Sequence, residues 1–154
     1  MLPPRLRASV PWCRPPTTMS SAPHATATGK AMLAWLPEDE IRRIVGLRGL
    51  RRFTPNTITD FTALIEELRL VRRHGFAMER EEFQPGVICV GAAIRDHTGA
   101  VVGSLSASAP TMRANDAHLE RIREEVVSAA RTLSADLGAT IAEPVHERPV
   151  AVAS

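Results

Sequence analysis

Two nine-residue stretches, "VICVGAAIR" (87–95) and "AVVGSLSAS" (100–108), flank the tetrapeptide "DHTG". Alternating apolar residues on either side of a turn-forming segment leave few options besides an antiparallel hairpin. With the turn centred on His97 and Thr98, Asp96 pairs with Gly99, and the register sets Cys89 opposite Ser106 and Val87 opposite Ser108. Ile88, Val90, Ala92 and Ile94 then share one face with Val101, Leu105 and Ala107, an apolar surface suited to lie on amphipathic helices. The other face carries Cys89, Gly91 and Ala93 beside Ser104, Ser106 and Ser108. Exposed sheet faces favour long charged or β-branched side chains, so this hollow, hydroxyl-bearing face suits a pocket floor as well as a solvated surface. A slip of one residue in the turn would exchange the two faces.

Helices supply the layers around this hairpin. Residues 29–36 suit a short helix capped by Thr28, with Met32, Leu33 and Leu36 at helical spacing and Pro37 as its stop. A second helix starts at Pro37, with acids in its first turn and a stripe of Ile41, Ile44 and Val45 before Gly46. A connection follows, with one short strand around Arg52 to Thr54. Thr59 or Asp60 caps a third helix whose apolar face is Phe61, Leu64, Ile65, Leu68 and Val71, and Gly75 ends it. "FAME" (76–79) reads as a brief strand and "REEFQPG" as a loop. A last helix runs from a cap at Asn115 or Asp116 through Leu119, Ile122, Val126, Leu133 and Leu137 to Gly138. There is no internal repeat.

Residues 1–23 hold six of the 12 prolines, which delete donors and block pairing, so this segment is expected to be disordered. Residues 139–154 are expected to form a flexible tail, leaving 24–138 as one domain. The 19 basic and 17 acidic side chains balance too closely to imply a polyanionic partner. Cys13 and Cys89 match no zinc or redox spacing, which argues against a structural metal and a disulfide framework and fits a reducing cytoplasm. No apolar run approaches the roughly 18 residues of a membrane span.

"HATATGK" (24–30) sets small residues and threonines ahead of a helix. It lacks the first glycine and final hydroxyl of the nucleotide loop "GxxxxGK[ST]", which excludes that reading. The amides at such a helix start can still accept a carboxylate, a contribution of about 0.3 to 2 kcal/mol. Thr26 or Thr28 acting as a simple cap is the alternative. His24 has no second ligand at helical or strand spacing and reads as a packed or capping residue. Cys89 is mid-strand among apolar neighbours with no histidine spaced to activate it, so a structural or ligand-lining thiol is expected, with no catalytic residue and no cofactor. Arg42, Arg43, Arg48, Arg51 and Arg52 crowd one connection, but few aromatic residues accompany them, and a solvated or subunit-facing patch is expected.

"HATATGKAMLAWLPEDE", the segment from "GLRRFTPNTIT" to "GSLSASAP", and "SAARTLSADLG" together resemble the C-terminal effector-binding domain of the IclR family of bacterial transcriptional regulators. The resemblance spans roughly residues 24 to 138. It implies an α+β, GAF-like fold, an antiparallel sheet flanked by helices, that holds a small organic acid or aromatic carboxylate and self-associates or joins other regulator subunits. It further implies that the amides of the loop at Ala27, Thr28 and Gly29 meet the carboxylate. Glu79 stands where many relatives carry aspartate, Cys89 is the thiol of the "CV" strand, and Ser106 and Ser108 are hydroxyls that would bond the ligand. Family members also carry an N-terminal winged helix-turn-helix and further strands ahead of "HATATGK", which have no counterpart in this sequence. DNA would thus be engaged only indirectly, and the domain's first strands are expected to be missing. The competing expectation is an interaction module that dimerises with full-length regulators without sensing a ligand.

Overall fold

The computed structural model describes residues 22–140. Its elements are α1 (Ala27–Leu33), α2 (Glu38–Arg48), α3 (Phe61–His74), β1 (Ala77–Arg80), β2 (Val87–Arg95), β3 (Val101–Pro110) and α4 (Asp116–Asp136), with a 3₁₀ turn at Thr111–Arg113. The three strands form an antiparallel sheet in the order β1-β2-β3. The fold is α+β, as expected. Most of the proline-rich lead and the tail beyond residue 140, with Cys13, lie outside the described residues. Ala22 and Pro23 do not: Ala22 is fully buried, its carbonyl accepts the Ala25 amide at 3.1 Å, and Pro23 packs against Gly29. Both residues ahead of His24 that are described are therefore packed into the domain.

The caps follow hydrogen-bond chemistry. Thr26, not Thr28, caps α1: its Oγ1 accepts the Gly29 amide at 3.2 Å, so the helix starts two residues earlier than its apolar spacing suggests. Asp60 Oδ2 accepts the Ala63 amide at 2.8 Å at the head of α3, and Asn115 Oδ1 accepts the His118 amide at 2.8 Å at the head of α4. Gly46 does not end α2; a helix tolerates an interior glycine at a cost of about 1 kcal/mol, and the stop comes at Gly49, where φ is 73°. The expected strand at Arg52–Thr54 is absent. The amides of Phe53 and Thr54 turn inward to Thr57 Oγ1 at 3.0 and 2.9 Å, which removes them from any ladder.

The hairpin departs from the expected register by two residues. Asp96 N donates to Ala100 O and Gly99 N to Asp96 O, with Gly99 at φ 81°; a three-residue turn closed by a left-handed glycine replaces the two-residue turn. A bulge then shifts pairing from Arg95↔Val101 to Ile94↔Gly103. Each irregularity adds one residue, so together they preserve which face most side chains occupy while moving the partners: Cys89 faces Ser108 rather than Ser106, Gly91 faces Ser106, and Val87 faces Pro110. Val101, on the turn side of the bulge, is the exception. It leaves the apolar face and packs with the α1–α3 core.

Two cores result. Leu33, Ile41, Ile44, Leu64, Leu68 and Ala77 join α1, α2, α3 and β1. On the opposite face of the sheet Val90 and Ala92 meet Val126 and Ala130 of α4, flanked by Leu105 and Ile122. The buried stripe of α4 ends in Ala130 and Ser134, whereas the expected Leu133 and Leu137 are 44% and 47% exposed. Small residues at 130 and 134 let α4 lie close to β2, and Ser134 Oγ accepts the Arg95 amide at 3.0 Å.

Candidate functional site

The small-residue face of the hairpin lies under α1. Between them a cavity of about 240 Å³ is lined by Thr26, Ala27 and Thr28 from the start of α1, Glu79 from β1, Cys89 from β2 and Ser106 and Ser108 from β3. Phe83, Gln84 and Val87 close its far side. Six of the seven residues singled out from the sequence thus meet in one cavity. Gly29 is not at its wall: its amide is committed to Thr26 Oγ1, and a Cβ there would stand 2.4 Å from the Pro23 backbone. Its role is close packing.

Within the cavity Cys89 Sγ lies 3.1 Å from Ser108 Oγ. Burial pushes the Cys89 thiol up; the Ser108 hydroxyl offsets part of this, while the hydrogen bond and negative charge of Glu79 add to it. The group is a protonated thiol at neutral pH and a poor nucleophile. Glu79 is 2% exposed and its Oε1 accepts the amides of Glu82 and Phe83 at 2.6 and 3.1 Å.

Those bonds belong to a network that the sequence did not disclose, and it shapes the loop 81–86 as the cavity's far wall. Glu81 adopts φ 53°, a left-handed conformation unusual for a non-glycine residue, and its carboxylate accepts the Gly86 amide at 2.7 Å. Thr54 Oγ1 donates to Glu81 O at 2.6 Å and Thr57 Oγ1 to Glu82 O at 2.5 Å. Beneath the loop, Lys30 is fully buried. Its Nζ reaches Glu82 Oε1 and Glu67 Oε1, each at 2.9 Å, and donates to Met78 O at 2.6 Å. One ammonium thereby ties α1 to α3, β1 and the loop. The lysine of the Gly-Lys pair thus serves a buried ion cluster, while the glycine serves packing. No spacing rule pairs Lys30 with Glu67 and Glu82, which lie 37 and 52 residues away.

His24 is a packed residue, as expected: it is 2% exposed, its Nε2 is 2.9 Å from Arg51 O, and its ring centroid is 6.0 Å from that of Phe53. Among the described residues no group of three His, Cys, Asp or Glu side chains could hold a metal ion. The arginines of the α2 connection are largely engaged: Arg42 pairs with Glu38 and Arg43 with Glu40, Arg52 bonds Pro55 O and Thr59, and Arg51 lies over the Phe53 ring.

Residues 19–135 match the family described as "Bacterial transcriptional regulator IclR C-terminal". The chain belongs to the IclR family. Among its relatives, the HTH-type transcriptional regulator BhcR of Paracoccus denitrificans is 42% identical over 120 residues, which cover 78% of this chain and 43% of that protein. The chain spans less than half the length of the curated relatives it matches. Of the solved structures, the C-terminal domain of the Escherichia coli transcriptional regulator KdgR superposes with a TM-score of 0.71 at 35% identity, over 75% of this chain and 71% of that one. The inducer-binding domain of the Acinetobacter transcription factor PobR, in a double mutant complexed with 3-hydroxybenzoic acid, gives 0.65 at 28% identity, over 77% and 66%.

These IclR relatives are named as transcriptional regulators and repressors, a non-enzymatic role that agrees with an unactivated Cys89. The matched region is the effector-binding domain of such regulators. No helix among the described residues is long and apolar enough to cross a membrane.

Proposed function

We propose that this IclR domain binds a small carboxylate through the cavity between α1 and the small-residue face of the sheet, and that binding biases how subunits associate. The single observation carrying the reading is that Ala27, Thr28, Glu79, Cys89, Ser106 and Ser108 line one cavity. At about 240 Å³ it lies below the range of drug-sized sites, which favours a short keto or hydroxy acid or a single aromatic ring. The first-turn amides of α1 have no intrahelical acceptors and suit the carboxylate. Glu79 is an acceptor at the other side and repels that end. A ligand with a carboxylate near Ala27 and Thr28 and a hydroxyl near Glu79 and the serines satisfies both. That PobR was crystallised with 3-hydroxybenzoic acid fits this polarity.

Coupling to assembly requires that the ligand bind two association states unequally. In a complete regulator such a shift would change operator affinity, so DNA is affected at one remove. Calorimetry against pyruvate, glyoxylate, protocatechuate and 3-hydroxybenzoate, with sedimentation at saturating ligand, tests both halves. Heat from at least one acid together with a ligand-dependent change in mass is expected; silence across the panel sinks the sensor.

A second reading is an interaction module that joins full-length regulators without sensing. It is favoured by β3, which has no strand neighbour on its outer side among the described residues and presents Val102 at 50% exposure. Unpaired edges of this kind invite another chain. Co-purification with an intact family member, unchanged by any acid of the panel, would select this reading over the first.

A further inference from the structure

A second cavity, of about 410 Å³, shares no lining residue with the first. It arises because β1 is short. Pairing with β2 stops at Ala77↔Gly91, so among the described residues no strand lies beside the outer edge of β2 from Ala92 to Arg95, and a notch opens between the end of α3, Trp35 beyond α1, and α4. Arg72, Arg73, Arg95 and Arg131 line it, and no Asp or Glu does.

Their gathering in one cavity, without a lining carboxylate, sets these guanidiniums apart. Elsewhere Arg42, Arg43, Arg69 and Arg123 each lie within salt-bridge distance of a glutamate, and Arg51 and Arg52, without one, lie over the Phe53 ring and on Pro55 O. None of the four notch arginines has an acidic partner among the described residues. Arg72 donates to the carbonyls of Ala34 and Leu36 at 2.7 and 3.3 Å. The Arg95 Cζ lies 4.1 Å from the centroid of the Trp35 ring, a cation–π contact that leaves its N–H groups without an acidic acceptor. Arg131, half-buried on α4, has no hydrogen bond or ion pair among the described residues. The last turn of α3 favours cations through the helix dipole, which accounts for Arg72 and Arg73. It does not account for Arg95 and Arg131, which come from β2 and α4. Gathering cations without a counter-charge on a chain of net charge +2 costs self-repulsion that a bound anion would relieve.

We propose that the notch binds a small phosphorylated metabolite, its phosphate held between Arg95 and Arg131. A phosphate monoester offers three oxygens to several planar guanidinium forks, whereas a monocarboxylate satisfies only one. The remaining volume, walled by Val127, accommodates the organic body of the ester. The sensor domain would thereby read two chemically distinct anions at separate sites.

The test is calorimetric titration of the chain with glycerol 3-phosphate, with inorganic sulfate, glycerol and a short DNA duplex as comparisons, at about 150 mM salt, where exposed charges are largely screened beyond about 8 Å. The variants are R95Q, R131Q and, as a control at a paired surface arginine, R42Q. Saturable binding of glycerol 3-phosphate is expected, weakened at least about tenfold in R95Q and in R131Q and unchanged in R42Q. Arg131 has no partner to lose, so R131Q keeps its fold and remains informative if R95Q, which loses its contact with Trp35, does not. Absence of saturation, equal weakening in R42Q, sulfate binding as tightly as the ester, or tighter binding of the duplex would each overturn the proposal.

Discussion

A Cβ built on Gly91 in β2 would stand 2.8 Å from both the carbonyl carbon and the carbonyl oxygen of Ala27 in α1. The first turn of α1 therefore rests on bare backbone, and this approach brings Ala27 and Thr28 over Cys89 and the β3 serines. The small residues of that sheet face have two uses. At Gly91 smallness admits the helix, and at Ser106 and Ser108 it leaves the cavity.

Gly91→Ala must move α1 or bend β2, because the obstructing atoms are backbone and cannot rotate away. Overpacking of this kind costs about 1–3 kcal/mol. Urea denaturation should show that loss, and the same variant should bind any acid identified by calorimetry more weakly, since the displaced amides are those assigned to the carboxylate. Unchanged stability would mean that α1 does not sit where it is described.

Lys30→Met should be more damaging than its position on a seven-residue helix suggests. The substitution keeps the apolar stem but leaves Glu82, 7% exposed, without its cation, and Met78 O without a donor. Breaking a buried ion pair from one side costs about 3–5 kcal/mol. Replacing both partners, as in Lys30→Met with Glu82→Leu, should recover much of that loss, because no stranded charge remains at Glu82. Equal destabilisation in the single and double variants would assign the cost to packing instead of charge.

The same cluster predicts a pH dependence. Burial raises the Glu82 carboxyl above its ordinary value, with the charge and hydrogen bond of Lys30 opposing the rise and the Glu67 charge adding to it. The folded state thus holds this proton more tightly than the unfolded chain. Its contribution to stability is fully present below the unfolded value of 4.5 and is lost as pH rises through the folded value. Compared with Glu82→Gln, the wild type should gain relative stability as pH falls through that window, measured by urea midpoints. A difference that instead grows with pH would show that Lys30 outweighs burial.

The elements most legible in the sequence were those whose signals are local. The Asp60 cap, the Leu64–Val71 stripe and the Gly75 stop are contained within one helix, and β2 was bounded by its own apolar alternation. The cavity residues were gathered because strand parity survives an even error: the glycine-closed turn and the bulge near Arg95 each displaced the register by one. What stayed hidden is non-local. Lys30 finds its acids across 37 and 52 residues, Thr54 and Thr57 fasten a loop about 25 residues on, and the α4 stripe turned to Ala130 and Ser134 because close approach to β2 outweighed the hydrophobicity of Leu133 and Leu137.

Cys89 gives the most direct check on the cavity's electrostatics. Burial raises its thiol, Ser108 partly offsets this, and Glu79 adds a further upward push through hydrogen bond and charge. In a Cys13→Ser background, iodoacetamide alkylation followed against pH should show a midpoint above the ordinary thiol range. Glu79→Gln should bring that midpoint down, since it removes the nearby negative charge, and Ser108→Ala should move it up by removing a bond that favours the thiolate. A saturating acid from the calorimetric panel should slow alkylation by occupying the space beside Sγ. A midpoint below the ordinary range would contradict the burial of Cys89 and restore the case for a nucleophile. Shifts of the right sign in both variants without protection by ligand would keep the geometry and remove the ligand from it.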